Sequence, residues 1–188
     1  MQRRSFVYTA TTALFLPLPA LAQQKSLEML GVQLNGASRE QIRQAFKKQG
    51  LKALREDLAY WFDTYSAQGL LEGADELAVG YLTSGRFAVA TYTLPSFMDV
   101  QQASRVVEMV SSKYGRPTAV RGNYGIGSVT ATWSLGPSAR VEVFREWPST
   151  TTYLRLSDPA AMEQMRREME EDRKAEAAQK AKAQSKSF

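Results

Sequence analysis

Arg86–Pro117 reads RFAVATYTLPSFMDVQQASRVVEMVSSKYGRP. Its first part predicts a strand and its second an amphipathic helix, and the rest of the chain is placed around that pair. Phe87, Val89, Thr91 and Thr93 alternate with Ala88, Ala90, Tyr92 and Leu94 in a run rich in β-branched and aromatic residues. Both faces are fairly apolar, as expected of a central strand covered on at least one side. Pro95 ends the strand, because proline has no N–H for the ladder. Asp99 stands three residues before Gln102, the spacing of a capping box. Val100, Ala103, Val106, Val107, Val110 and Tyr114 then share one helical face. Gly115 and Pro117 stop the helix. Valine lowers helix propensity, so this helix is expected to depend on packing its stripe against a sheet.

Just upstream, Glu76–Thr83 (ELAVGYLT) alternates and predicts a second strand. Ser84 and Gly85 turn it back into Phe87 as a tight hairpin. Leu51–Ala67 (LKALREDLAYWFDTYSA) admits two readings. One is a helix carrying Leu54, Leu58, Trp61, Phe62 and Tyr65 on one face. The other is a strand around Tyr60–Tyr65 after a polar turn at Arg55–Asp57, which the density of aromatics favours. Tyr60, Trp61, Phe62 and Tyr65 are the candidate ligand-binding residues. Core packing is the bland alternative and carries more weight, because aromatics dominate most cores.

Gly31–Gly50 reads GVQLNGASREQIRQAFKKQG. Ser38 and Gln41 have capping-box spacing, Ile42, Ala45 and Phe46 make a short stripe, and Gly50 ends the helix. Lys47 and Lys48 suit its C-terminal dipole. This glycine–loop–capped-helix shape resembles the helix entry of small bacterial envelope modules of the SmpA/OmlA type. The resemblance spans residues 31–50, implies short helices on an antiparallel sheet, and carries over no functional residue. The chain departs from that family in lacking its lipid-bearing cysteine and in being longer.

Downstream of Pro117, Thr118–Arg121, Ser128–Leu135, Arg140–Glu146 and Thr151–Leu156 predict four more strands. Gly122–Gly127 (GNYGIG) is glycine-rich, but a strand follows it where a phosphate cradle needs a helix N-terminus. It therefore reads as a hairpin loop. The second half thus repeats the element order of the first, one helix and then antiparallel strands, without a residue-level repeat. Asp158-Pro159 caps a last helix, in which Ala161, Met162, Met165 and Met169 make a brief stripe able to dock. The remainder is charged and rich in Ala, Lys and Gln, and reads as a solvated helix fraying into disorder.

At the other end, MQRRSFVYTATTALFLPLPALAQQ has a basic start, a mildly apolar middle and a small-x-small cleavage site at Ala20 and Ala22. That is an export signal covering residues 1–22. It is too short and too proline-broken to span a membrane. Arg3, Arg4 and Phe6 match the twin-arginine export motif, and an ordinary Sec route stays open beside it. The expected location is periplasmic or secreted, with no stable membrane anchor after cleavage.

The chain has neither cysteine nor histidine. That removes a lipoprotein anchor, disulfides, thiolate and imidazole metal sites, and His-dependent triads. No metal and no cofactor is expected. Net charge is +5, and loss of Arg3 and Arg4 leaves 22 basic against 19 acidic residues, +3. The basic residues are scattered among acids, unlike a nucleic-acid footprint. Glu142 and Glu146 share strand parity, but i and i+4 Cα atoms lie roughly 13 Å apart, long for a glycosidase pair.

The expected fold is α+β: an antiparallel sheet with two short helices, read as tandem helix-then-strands units over residues 23–158, and a charged tail over 159–188. The favoured role is non-catalytic, a binding or protein-interaction function in the cell envelope. A small-ligand-binding protein using the aromatic cluster is the alternative. A carboxylate-dependent hydrolase ranks third.

Overall fold

The computed structural model describes residues 26–185. The expected export signal, with Arg3, Arg4, Phe6 and the Ala20/Ala22 cleavage site, lies outside the described residues. In chain order the elements are β1 (Glu28–Met29), β2 (Val32–Gln33), α1 (Arg39–Lys48), β3 (Ala53–Arg55), β4 (Phe62–Ser66), β5 (Glu76–Tyr81) and β6 (Phe87–Leu94). They continue with α2 (Gln102–Tyr114), β7 (Ala119–Gly122), β8 (Val129–Ser134), β9 (Arg140–Arg145), β10 (Thr152–Ser157) and α3 (Pro159–Gln184).

Eight strands form one antiparallel sheet in the order β3-β4-β5-β6-β10-β9-β8-β7. The order is that of two meanders joined along their last strands, β6 and β10. Each meander is preceded by one helix, so the tandem element order seen in the sequence is the architecture of the sheet. β1 and β2 form a separate hairpin that sequence periodicity missed, since two residues per strand give no alternation to read.

The two faces of the sheet are covered unequally. α1 and α2 pack on one face, where Ile42, Phe46, Val106, Val107 and Val110 join Leu77, Val79, Tyr92, Trp133, Val141 and Leu154 in the main core. α3 packs on the other, where Ala161 and Met165 meet Leu82, Ala88 and Val89. β6 is central and covered on both faces, as its doubly apolar sequence requires. A register shift opposite Gly80 and Tyr81 turns Phe87 into the main core, while Val89 faces α3. Strict alternation would have kept those two residues on one face.

α1 starts at the predicted capping box: the Gln41 N–H donates to Ser38 Oγ, and the Ser38 N–H to Gln41 Oε1 at 2.8 Å. The box expected at Asp99 is corrected. α2 begins later, at Gln102, behind Gln101, which makes no side-chain cap. Gln102 is buried and its amide donates to the Pro95 carbonyl at 2.9 Å, so it cannot fold back over the helix start. Asp99 instead accepts from the Gln101 N–H and pairs with Arg105. Val100, expected on the buried stripe, is exposed for the same reason. α3 has its Asp158 cap and Pro159 start, and Glu168 ties it to the β5–β6 turn by accepting from the Thr83 N–H at 2.8 Å. The described chain is helical to Gln184, in keeping with the helix expected of the tail. No helix among the described residues is long and apolar enough to cross a membrane.

Candidate binding site at the loop end of the sheet

Three loops meet at one end of the second meander and the joining strand β6. They are the β6–α2 loop, the β7–β8 loop and the β9–β10 loop. Together they present Phe97, Met98, Val100, Ile126 and Trp147, all large, apolar and exposed; Phe97 is 90% and Met98 82% exposed. A groove of about 250 Å³ runs between the loops, lined by Met98, Val100, Ile126, Trp147 and Pro148 and by Arg145. Water penalises a contiguous apolar surface of this kind, so such patches mark interaction sites. Single exposed apolar residues would need no explanation.

Local backbone supports that presentation. Phe97 and Met98 have φ of 45° and 72°, the left-handed region that non-glycine residues rarely occupy. The Ser96 carbonyl accepts from the Asp99 N–H at 2.7 Å and closes the turn, so both side chains point out of a tight corner. The β7–β8 loop is fixed by glycine at its start. Gly122 has φ of 85°, and a Cβ there would lie 2.0 Å from the Ser128 carbonyl oxygen.

Arg145 is the polar element of the groove. It is the last residue of β9 and is only 5% exposed. Its Nε donates to the Gly127 carbonyl at 3.1 Å, and one terminal nitrogen, Nη2, donates to the carbonyls of Asn123, Tyr124 and Gly125. These bonds hold the loop that carries Ile126. No carboxylate lies within ion-pair reach of Arg145 among the described residues; Asp99, which also lines the groove, is engaged by Arg105.

The aromatic cluster expected at residues 60–65 is divided by the sheet. Tyr65 faces α1, is fully buried, and meets the Phe46 ring edge-on at 5.1 Å. Its hydroxyl donates to Glu56 at 2.8 Å. Burial first, then that bond, pushes the hydroxyl's pKa well above its usual value. Phe62 faces the opposite side, against α3, with Trp61 beside it. Tyr60 is exposed under Arg55, whose guanidinium carbon lies 4.5 Å from the ring centre. Only Tyr60 and Trp61 share a cavity, one of about 590 Å³ with Arg39, Arg43 and Tyr81 in its lining. The strand expected around Tyr60–Tyr65 is β4, whereas β3 was not expected and takes Arg55 out of the turn that precedes it.

Asp63 lies between those aromatics and was missed. It is fully buried on the α1 face, and both Arg39 and Arg43 donate to its carboxylate, at 2.6 and 2.7 Å. Burial alone would raise its pKa; the bonds from Arg43 and Arg39 and their charges win, holding it below the usual carboxylate range. Arg39 also donates to the carbonyls of Asp57 and Tyr60 and so fixes the 57–61 turn. Of the two carboxylates weighed as an acid–base pair, Glu142 faces Arg155 at 3.8 Å and Glu146 lies exposed beyond β9.

No family model matches this chain, and no curated protein matches it. A solved structure similar to it is that of YjgB, a DUF4309 family protein from Bacillus subtilis, at 13% identity and a TM-score of 0.44, over 71% of this chain and 87% of that one.

Proposed function

We propose that the protein is a non-catalytic binding protein of the cell envelope that docks a partner protein on the loop end of its sheet. The observation that carries this reading is the convergence of Met98, Val100, Ile126 and Trp147 from three separate loops on one groove, with the exposed Phe97 next to Met98 in the chain. Hot spots of protein interfaces are apolar and aromatic anchors beside pockets. The leader sequence supports the envelope location, and the absence of cysteine and histidine supports binding over catalysis. The test is site-specific cross-linking in the native envelope from a photoreactive residue at position 97. A discrete adduct that disappears in Trp147→Glu and persists in Lys180→Glu supports the reading. No adduct, or one indifferent to Trp147→Glu, removes it.

A second reading is a small ligand in the cavity of Tyr60 and Trp61. It is favoured by the placement of these two residues together in a concave site beside Arg39 and Arg43. In a Trp147→Phe background, a ligand there changes the emission of Trp61; Trp133 is buried and serves as the internal reference.

A further inference from the structure

We propose that the loop-end groove captures the C-terminal carboxylate of a polypeptide whose last residue is apolar, with Arg145 as the anion-binding residue. The inference rests on the docking role of this face and names the chemistry of its anchor. A buried guanidinium without a counter-charge is costly. Arg145 is 5% exposed and has no carboxylate partner among the described residues. Backbone carbonyls satisfy Nε and Nη2. Nη1 donates no hydrogen bond, and it is not among the buried polar atoms sealed from solvent without a partner. It therefore keeps open surface in a residue that lines the groove.

The large side chains of the lining are apolar, Met98, Val100, Ile126, Trp147 and Pro148, and Ser96, Ser149 and Thr150 add only uncharged hydroxyls. The only carboxylate in it, Asp99, is neutralised by Arg105. The groove thus offers one unspent positive donor beside room, about 250 Å³, for an apolar side chain. A chain terminus has that pair of features on one Cα: a carboxylate and a side chain. Capture of a C-terminal carboxylate is a recurrent mode of peptide recognition. A charge-assisted bond to the guanidinium gives it specificity over an internal segment of the same sequence.

The experiment uses the unmodified protein. Two acetylated tetrapeptides ending in phenylalanine, one with a free carboxylate and one with a C-terminal amide, are titrated while the Arg145 Nε–H and Ile126 methyl resonances are followed. The free acid is expected to bind at least about tenfold more tightly than the amide and to shift both resonances. Ile126→Glu, which keeps Arg145 and its loop bonds, is expected to abolish binding of the acid. Equal binding of acid and amide overturns the inference and leaves Arg145 a loop-fixing residue. Binding of neither also overturns it; the docking reading then stands if the position-97 adduct forms, and falls with it if the adduct does not. Decanoate binding where the peptide acid does not, or a concentration-dependent dimer that protects Trp147, assigns the groove to a lipid acid or a second copy and overturns the proposal as well.

Discussion

The sulfur of Met165 lies 3.1 Å from the point where a side chain on Gly80 would begin. The same point is 2.6 Å from the Phe62 ring and 2.9 Å from Val89. Glycine in a central strand weakens it; here its missing Cβ is the seat of α3. Gly80→Ala is expected to lower stability by about 1–3 kcal/mol through overpacking and to raise amide exchange across residues 161–169. Thermal unfolding with exchange measurements decides it. Unchanged exchange would mean that α3 does not dock on β5.

Asp63 should control acid stability. Its carboxyl is held below the ordinary range by Arg43 and Arg39 against the opposing effect of burial. A depressed folded-state pKa gives stabilisation that is complete above the unfolded value, about 3.9, and is lost as pH falls through the lower folded value. Unfolding free energy is therefore expected to be flat with respect to this group near neutrality and to drop below about pH 4. Asp63→Asn strands two guanidiniums and is expected to cost about 3–5 kcal/mol at pH 7, with the acid limb flattened. Denaturant titrations of both proteins from pH 2 to 8 are the check.

Phe97 and Met98 hold left-handed backbone at a cost of about 1–3 kcal/mol each. Glycine relieves that strain and gives back part of the gain as unfolded-state entropy. Phe97→Gly and Met98→Gly are therefore expected to leave stability unchanged or raise it by about 1 kcal/mol in thermal unfolding, and Met98→Gly is expected to weaken partner cross-linking from position 97. A large destabilisation would show that these side chains serve folding.

The contrast between those exposed residues and the strands behind them explains what was legible in the sequence. Val129–Ser134, Arg140–Arg145 and Thr152–Ser157 alternate because one face is core, and period two survives in the sequence. The Ser38–Gln41 cap is local and was read directly. Arg145 shares parity with Val141 and Val143, and Asp63 shares it with Tyr65. Both therefore carried a signal: a charged residue on a buried face. The convergence of Phe97, Ile126 and Trp147 carried none. It arises from the strand order, which joins β6 to β10 and brings together loops about 50 residues apart in sequence. Composition cannot encode that.

The distal half of α3 is expected to be thermodynamically separate from the domain. Ala161 and Met165 are buried, whereas every residue from Lys174 to Gln184 is exposed. An isolated helical segment this short is marginal in water. Exposed pairs at its entry, Glu170–Arg173 and Glu170–Lys174, lend it the weak support of neighbouring opposite charges on a helix surface. Deleting residues 174–188 should leave the unfolding midpoint in place while reducing the far-ultraviolet helical signal. In the full chain, salt at about 1 M shortens the screening length to about 3 Å and should lower helicity without moving the domain's midpoint. A midpoint that falls on truncation would show that the distal helix packs on the body. A helical signal indifferent to salt would remove the ion pairs as its support.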